Sequence, residues 1–216
     1  LNKLIVDRCN NMDIYCDNIL DIGNNQYNEN IRYSLYTNTA NVTGTFANSY
    51  NIQLDMDTLG SIGNDAFTGM KNSKMKLTSI NGNIGNLAFY DSPLSQDIIA
   101  LHNCTSLGIS CFGRCNVKDI DLSQSSITTI PARNNASIYD GSYTHNAGAF
   151  TYNDTIESIE LPESLRLIDQ YAFAQLKSLK AVTIPYGVTE IRKGAFYGCD
   201  NLISLGEPVM RFVAIS

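Results

Sequence analysis

No apolar run in this chain approaches the ~18 residues that cross a bilayer as a helix, so no transmembrane span is expected. Charge is also scarce. Asp, Glu, Lys and Arg make up 17% of the residues, against roughly 25% in ordinary soluble domains. The charge present leans acidic, at net -6 with a pI near 4.8, which argues against nucleic acid or an anionic membrane as partner. Asn, Ser and Thr supply the polar surface instead, and Asn suits tight coils because it tolerates left-handed backbone. There are only two histidines. The sequence begins Leu1-Asn2-Lys3, with no initiator Met and no signal-peptide pattern, and is expected to be a trimmed or processed piece.

What is present is repetition. Ile156-Glu-Ser-Ile159-Glu-Leu161-Pro162 is answered by Leu179-Lys-Ala-Val182-Thr-Ile184-Pro185. Ile168 returns as Ile191, and Ala172-Phe173 returns as Ala195-Phe196, all at a constant offset of 23. That interval lies within the leucine-rich-repeat period. A unit so short cannot bury its own apolar face and must stack on copies of itself. Within one unit, alternation sends Val182 and Ile184 inward and Ala181 and Thr183 outward. Pro185 ends the strand because it has no N–H to donate. Gly187 is expected to turn the chain, and Val188 and Ile191 to re-enter the interior. A short helical turn then carries Ala195 and Phe196.

The aromatic of each unit can be followed backwards through Phe196, Phe173, Phe150, Phe112, Phe89, Phe67 and Phe46 to Tyr27. The successive intervals are 23, 23, 38, 23, 22, 21 and 19. One solenoid over residues 1–216 is therefore expected: α/β and β-rich, right-handed, with about eight coils of roughly 19–23 residues. A parallel sheet should line one face and short helical turns the other. Residues 1–30 read as degenerate N-terminal coils or a cap. Residues 202–216 read as a partial last coil or a C-terminal cap, and open ends of that kind could self-associate. The one long interval holds an insertion. Asp169, Gln170 and Tyr171 suffice to link Ile168 to Ala172, whereas the whole stretch 131–148 intervenes between Ile130 and Ala149. The extra residues belong to 131–148, and the register resumes after them.

Cys104, Cys111, Cys115 and Cys199 fall where coils point inward, so they read as buried thiols; Cys9 and Cys16 remain open to pairing. Cys111-x-x-x-Cys115 lacks partners at zinc-like spacing. Ile80-Asn-Gly82-Asn-Ile84-Gly85 lacks the Lys-Ser/Thr of a phosphate loop, and its glycines are assigned to turning the coil. His102 stands near Cys104, but that thiol points inward and no third group orients the pair. No nucleophile, base and oxyanion set can be assembled, so no catalytic residues, metal or resident cofactor are assigned.

Aligning the coils puts Ser158, Asp119, Asp97 and Lys74 in one exposed column of the sheet and Glu160, Asp121, Ile99 and Lys76 in the next. Asp97, Asp119, Asp121 and Glu160 would then form an acidic patch. Three readings of it stay open: a solvated face, the footprint of a basic protein partner, or a calcium site on oxygen ligands. In the insertion, Tyr139, Asp140, Tyr143 and His145 are compatible with a metal or sugar contact, as they are with an ordinary surface loop.

Leu-x-x-Val-Thr-Ile-Pro-x-Gly-Val-Thr-x-Ile-x-x-x-Ala-Phe-x-x-Cys, from Leu179 to Cys199, resembles the BspA-like leucine-rich repeats, and Ile156–Leu176 follows the same pattern. The resemblance implies a solenoid from a protein exported to a bacterial surface, of the kind found in oral and gut anaerobes. It implies non-enzymatic adhesion to protein or glycan on host or neighbouring cells, and an extracellular location. The alternative is a structural spacer or self-associating stalk. No site residues carry over, because the motif is structural throughout.

Overall fold

The computed structural model describes residues 4–5, 12–23, 33–42, 46–48, 52–94, 98–132 and 148–206. Among them it forms a parallel-sheet solenoid of about six turns, with no helix. The main sheet has ten strands, all parallel. In sheet order these are β1 (Leu4–Ile5), β2 (Met12–Gly23), β3 (Tyr33–Val42), β4 (Gln53–Ile62), β5 (Lys74–Ile80), β6 (Ile98–Leu101), β7 (Asp119–Asp121), β9 (Ser158–Glu160), β11 (Ala181–Thr183) and β13 (Ser204–Gly206). A second sheet is narrower. It joins β8 (Thr129–Ile130), β10 (Leu167–Ile168) and β12 (Glu190–Ile191), again in parallel.

Val182 and Ile184 are buried and Ala181 and Thr183 exposed, as strand alternation requires. Between the sheets lies one continuous core running from Val42 to Ala195. Its spine is a stack of seven phenyl rings, Phe46, Phe67, Phe89, Phe112, Phe150, Phe173 and Phe196. Neighbouring centroids lie 5.2 to 5.9 Å apart, with planes within 17° of parallel. A small buried residue precedes all but the first of these rings: Ala66, Ala88, Cys111, Ala149, Ala172 or Ala195.

The expected helical turns are replaced by tight turns around each phenylalanine, and the backbone shows why. Left-handed φ recurs two residues before and two after the ring: Asp65 and Gly69, Leu87 and Asp91, Ser110 and Arg114, Tyr171 and Gln175, Gly194 and Gly198. A left-handed residue breaks an α-helix. The freed backbone groups bond between coils instead. Phe67, Phe89, Phe112 and Phe173 donate their N–H groups to the carbonyls of Ala88, Cys111, Ala149 and Ala195 at 2.7 to 2.9 Å. The turns thus form a ladder of their own, which satisfies groups that burial would otherwise leave costly.

Glycines also serve close packing between the coils. Gly82 and Gly85 lack left-handed φ. A Cβ on Gly85 would lie 2.5 Å from the Asn64 nitrogen, and one on Gly108 would lie 2.2 Å from the Gly85 carbonyl carbon. These glycines let successive coils touch through their backbones. Gly187 turns the chain as expected, within a turn closed by the Val188 N–H donating to the Pro185 carbonyl at 3.1 Å, and it also makes room for the Arg166 guanidinium.

Where compressed coils were expected near the N-terminus, β2 and β3 run for 12 and 10 residues and pair along most of their length. In β4 the buried residues fall at Leu54, Met56, Leu59 and Ile62. The spacing opens from two to three, so the strand turns a corner while its ladder continues.

Candidate functional site

That corner resets the exposed columns. In the structure Ile80 pairs with Leu101 and Ser79 with Ala100, while Lys76 pairs with Asp55. Lys74 and Lys76 therefore do not continue the acidic columns. Ile99 is buried rather than exposed, and Ile98 takes the outward place, at 55% exposure. The first column reads Ile98, Asp119, Ser158, Ala181, Ser204. The second reads Thr58, Ser79, Ala100, Asp121, Glu160. Alternation around Met75 and Leu77 looks like that around Ile120 and Leu122, and this is what misleads the alignment by one inward residue.

The register places Asp121 directly beside Glu160, and Asp119 beside Ser158. Adjacent strands are ~4.8 Å apart, so the two carboxylates repel by roughly 1 kcal/mol or less in water. Asp119 accepts a hydrogen bond from Ser158 Oγ at 2.7 Å, and Asp121 accepts one from the Ser123 N–H at 2.8 Å. None of Asp119, Asp121 and Glu160 has an ion pair among the described residues. Asp97 lies outside the described residues, as do Tyr139, Asp140, Tyr143 and His145. No group of three or more His, Cys, Asp or Glu among the described residues is placed to hold a metal.

A line of alternating charge runs beside the acidic column. Glu157 sits between Lys118 at 3.8 Å and Lys180, which donates a hydrogen bond to it. That bond, aided by the Lys118 charge, holds the Glu157 carboxyl below the usual carboxylate range. The sequence carried a signal for this line, since Lys180 follows Glu157 by the repeat offset. On the same sheet Lys76 pairs with Asp55 at 3.7 Å, and Tyr15 stands 73% exposed on β2.

The insertion has a defined neck. Ala132 and Gly148 form an antiparallel bridge, so residues 133–147 leave and return at one point. A Cβ on Gly148 would lie 2.2 Å from the Ala172 carbonyl oxygen, which leaves no room for a side chain where the chain rejoins the coil.

The model of the BspA type leucine-rich repeat region matches residues 15–139 and 143–209, in six copies. The chain belongs to this family. A comparison with curated proteins finds no match. The break in the BspA-type match falls inside the insertion.

The cysteine of the BspA-type repeat has a structural task here. Cys115 Sγ donates to the Phe89 carbonyl at 2.9 Å, and Cys199 Sγ to the Phe173 carbonyl at 3.0 Å. One coil after Cys115, Asn153 Nδ2 donates to the Phe112 carbonyl at 3.3 Å. Each side chain covers the carbonyl of a stacked phenylalanine one coil back. Cys104, Cys111, Cys115 and Cys199 are free thiols. Burial pushes all four upwards, Cys115 to about 12 and Cys199 to about 11. Thiols held protonated are poor nucleophiles. Cys104 Sγ donates to the Ser106 carbonyl, not to His102.

Proposed function

We propose that this chain is a non-enzymatic recognition module of a bacterial cell surface. It holds a protein or glycan of a host or neighbouring cell against its exposed sheet face and the 131–148 insertion. BspA-type repeats typically serve as interaction scaffolds, and the family is associated with bacterial surface proteins. The observation that carries the reading is the pair Asp121 and Glu160, adjacent on an exposed sheet and without a cation among the described residues. A basic protein surface would neutralise them, and a solvated calcium ion is the other neutralising ligand to test.

The test is binding of the purified chain to a panel of host extracellular proteins, with and without calcium. A hit weakened by Asp121→Asn and Glu160→Gln supports the face; one weakened only by shortening residues 133–147 assigns recognition to the insertion. Silence across the panel sinks the reading.

A second reading, a self-associating structural segment, rests on β13. Leu205 within it is 38% exposed, and Ile203 immediately before it is 87% exposed. Light scattering that shows mass rising with concentration, abolished by Ile203→Lys, favours it over the first.

A further inference from the structure

Beside the sheet face, where the chain leaves β4 through β7, lies an open groove of about 440 Å³. Its volume falls within the ~300–1,000 Å³ usual for small-molecule sites. Six side chains from four successive coils line it: Thr58, Ser79, Asn81, His102, Asn103 and Gln124. All are polar, and none is Asp, Glu, Lys or Arg. The strands of the same sheet carry Asp55, Lys76, Asp119 and Asp121, so an uncharged stretch is a chemical distinction.

The groove's hydrogen-bonding capacity is only half used. Thr58 and Ser79 share one hydroxyl bond at 2.9 Å, and Asn103 Nδ2 donates to Asn81 Oδ1 at 2.6 Å. The Asn103 side-chain oxygen and the Asn81 amide nitrogen have no hydrogen-bond partner among the described residues. The His102 imidazole and the Gln124 amide have no hydrogen-bond partner among the described residues. In the strand column Ala100 separates Ser79 from Asp121. Asp121 and Glu160 continue that column at one end.

We propose that this groove binds a neutral carbohydrate. Amides and hydroxyls offer paired donors and acceptors without charge, which is what adjacent sugar hydroxyls require. The His102 ring supplies a planar face for the C–H side of a pyranose. Rungs recur every ~4.8 Å along the solenoid, a step on the scale of one sugar ring, so a chain of sugars can run across the coils. An extended peptide bearing charge would meet no counter-charge here, and the carboxylates of Asp121 and Glu160 exclude sialylated or sulfated glycans. The inference rests on the recognition reading and gives its glycan half a site.

The test titrates the whole chain with gluco-, manno-, xylo- and galacto-oligosaccharides, with sialyllactose and a sulfated oligosaccharide as controls. Binding is read by calorimetry and by the histidine ring signals in NMR. With only two histidines in the chain, His102→Asn assigns the spectrum. The expected result is that a neutral oligosaccharide moves the His102 signals and leaves those of His145 in place. Gln124→Ala then weakens affinity by about tenfold, the loss of one well-placed hydrogen-bonding group. The Gln124 amide has no partner among the described residues, so this variant keeps the parent's melting temperature. No response to any neutral sugar overturns the assignment, as does stronger binding of the anionic controls or affinity unchanged in both Gln124→Ala and Asn81→Ala. If sugars are silent while a protein partner binds and is lost in Asp121→Asn, the groove is overturned and the recognition reading survives.

Discussion

The rings of Phe112 and Phe150 stack at 5.8 Å with planes 5° apart, although the chain takes a far longer path between them than between any other neighbours in the stack. The core at this coil is therefore built as though residues 133–147 were absent. Ala132 and Gly148, already paired across the neck, can be joined by an Asn-Gly turn of the kind that closes antiparallel strands. Replacing 133–147 in this way is expected to change the melting temperature by no more than a few degrees, since the ring stack closes across the neck and shortening the connection alters mainly its closure entropy. Calorimetry decides it. Loss of the cooperative transition would mean that the insertion is part of the fold.

Phe173 is buried with a ring stacked on each side, whereas Phe196 is only partly buried and has one described stacking neighbour. Phe173→Ala should cost about 3–5 kcal/mol through lost transfer energy and an unfilled cavity. Phe196→Ala should cost clearly less. In urea unfolding, equal midpoints for the two variants would contradict a continuous stack.

The spine was legible from sequence because Phe at a fixed offset is an interior signal that no surface pressure imitates. The inward thiols were legible for the same reason. The turn geometry was not, because left-handed φ at Leu87, Ser110, Arg114, Tyr171 and Gln175 uses residues with no preference for it. The ladder between coils imposes it. The exposed columns were legible only where strands are short. Asp121 and Glu160 follow one alternation, while β4 and β5 change spacing at a corner and move Lys76 away from Asp121. The groove was invisible for a related reason: His102 and Gln124 meet only through stacking of coils, and neither lies in a motif.

Ser110 combines two costs in one residue. Its φ is 51°, and its buried hydroxyl has no hydrogen-bond partner. Gly194 holds the matching place in its own coil, also left-handed. Ser110→Gly removes about 1 kcal/mol of backbone strain and the penalty of an unsatisfied hydroxyl, roughly another 1 kcal/mol or more. Set against a small void and a freer unfolded chain, the net expectation is a gain of about 1 kcal/mol. A lower midpoint than the parent's in chemical denaturation refutes this account of the turn.

Gly108, close by in the same coil, should respond oppositely. Its missing side chain is what lets the coil rest on Gly85, and a Cβ would overlap backbone that cannot yield without parting two coils. Gly108→Ala is expected to cost about 1–3 kcal/mol, as overpacking does, despite the usual benefit of replacing glycine. A neutral effect would show that the coils are not in backbone contact there.

Burial raises the thiols of Cys104, Cys111, Cys115 and Cys199 in the folded chain, and this fixes the sign of an alkaline response. Below the unfolded thiol value of ~8.5 both states are protonated and the contribution is constant. Above it the unfolded chain ionises first and binds fewer protons than the native state, so stability falls with rising pH. The fall continues until the folded thiol itself titrates, near 12 for Cys115 and near 11 for Cys199. At about pH 10 one such thiol accounts for roughly 2 kcal/mol of lost stability. Tyrosines and lysines also titrate there, so the measurement is a difference: urea midpoints of the parent and of Cys115→Ala, from about pH 7 to 10.5. The variant is expected to start lower, through the lost packing and the uncovered Phe89 carbonyl, and to decline less steeply. Parallel curves would mean that Cys115 ionises as readily in the fold as outside it, and would remove the grounds for calling it inert.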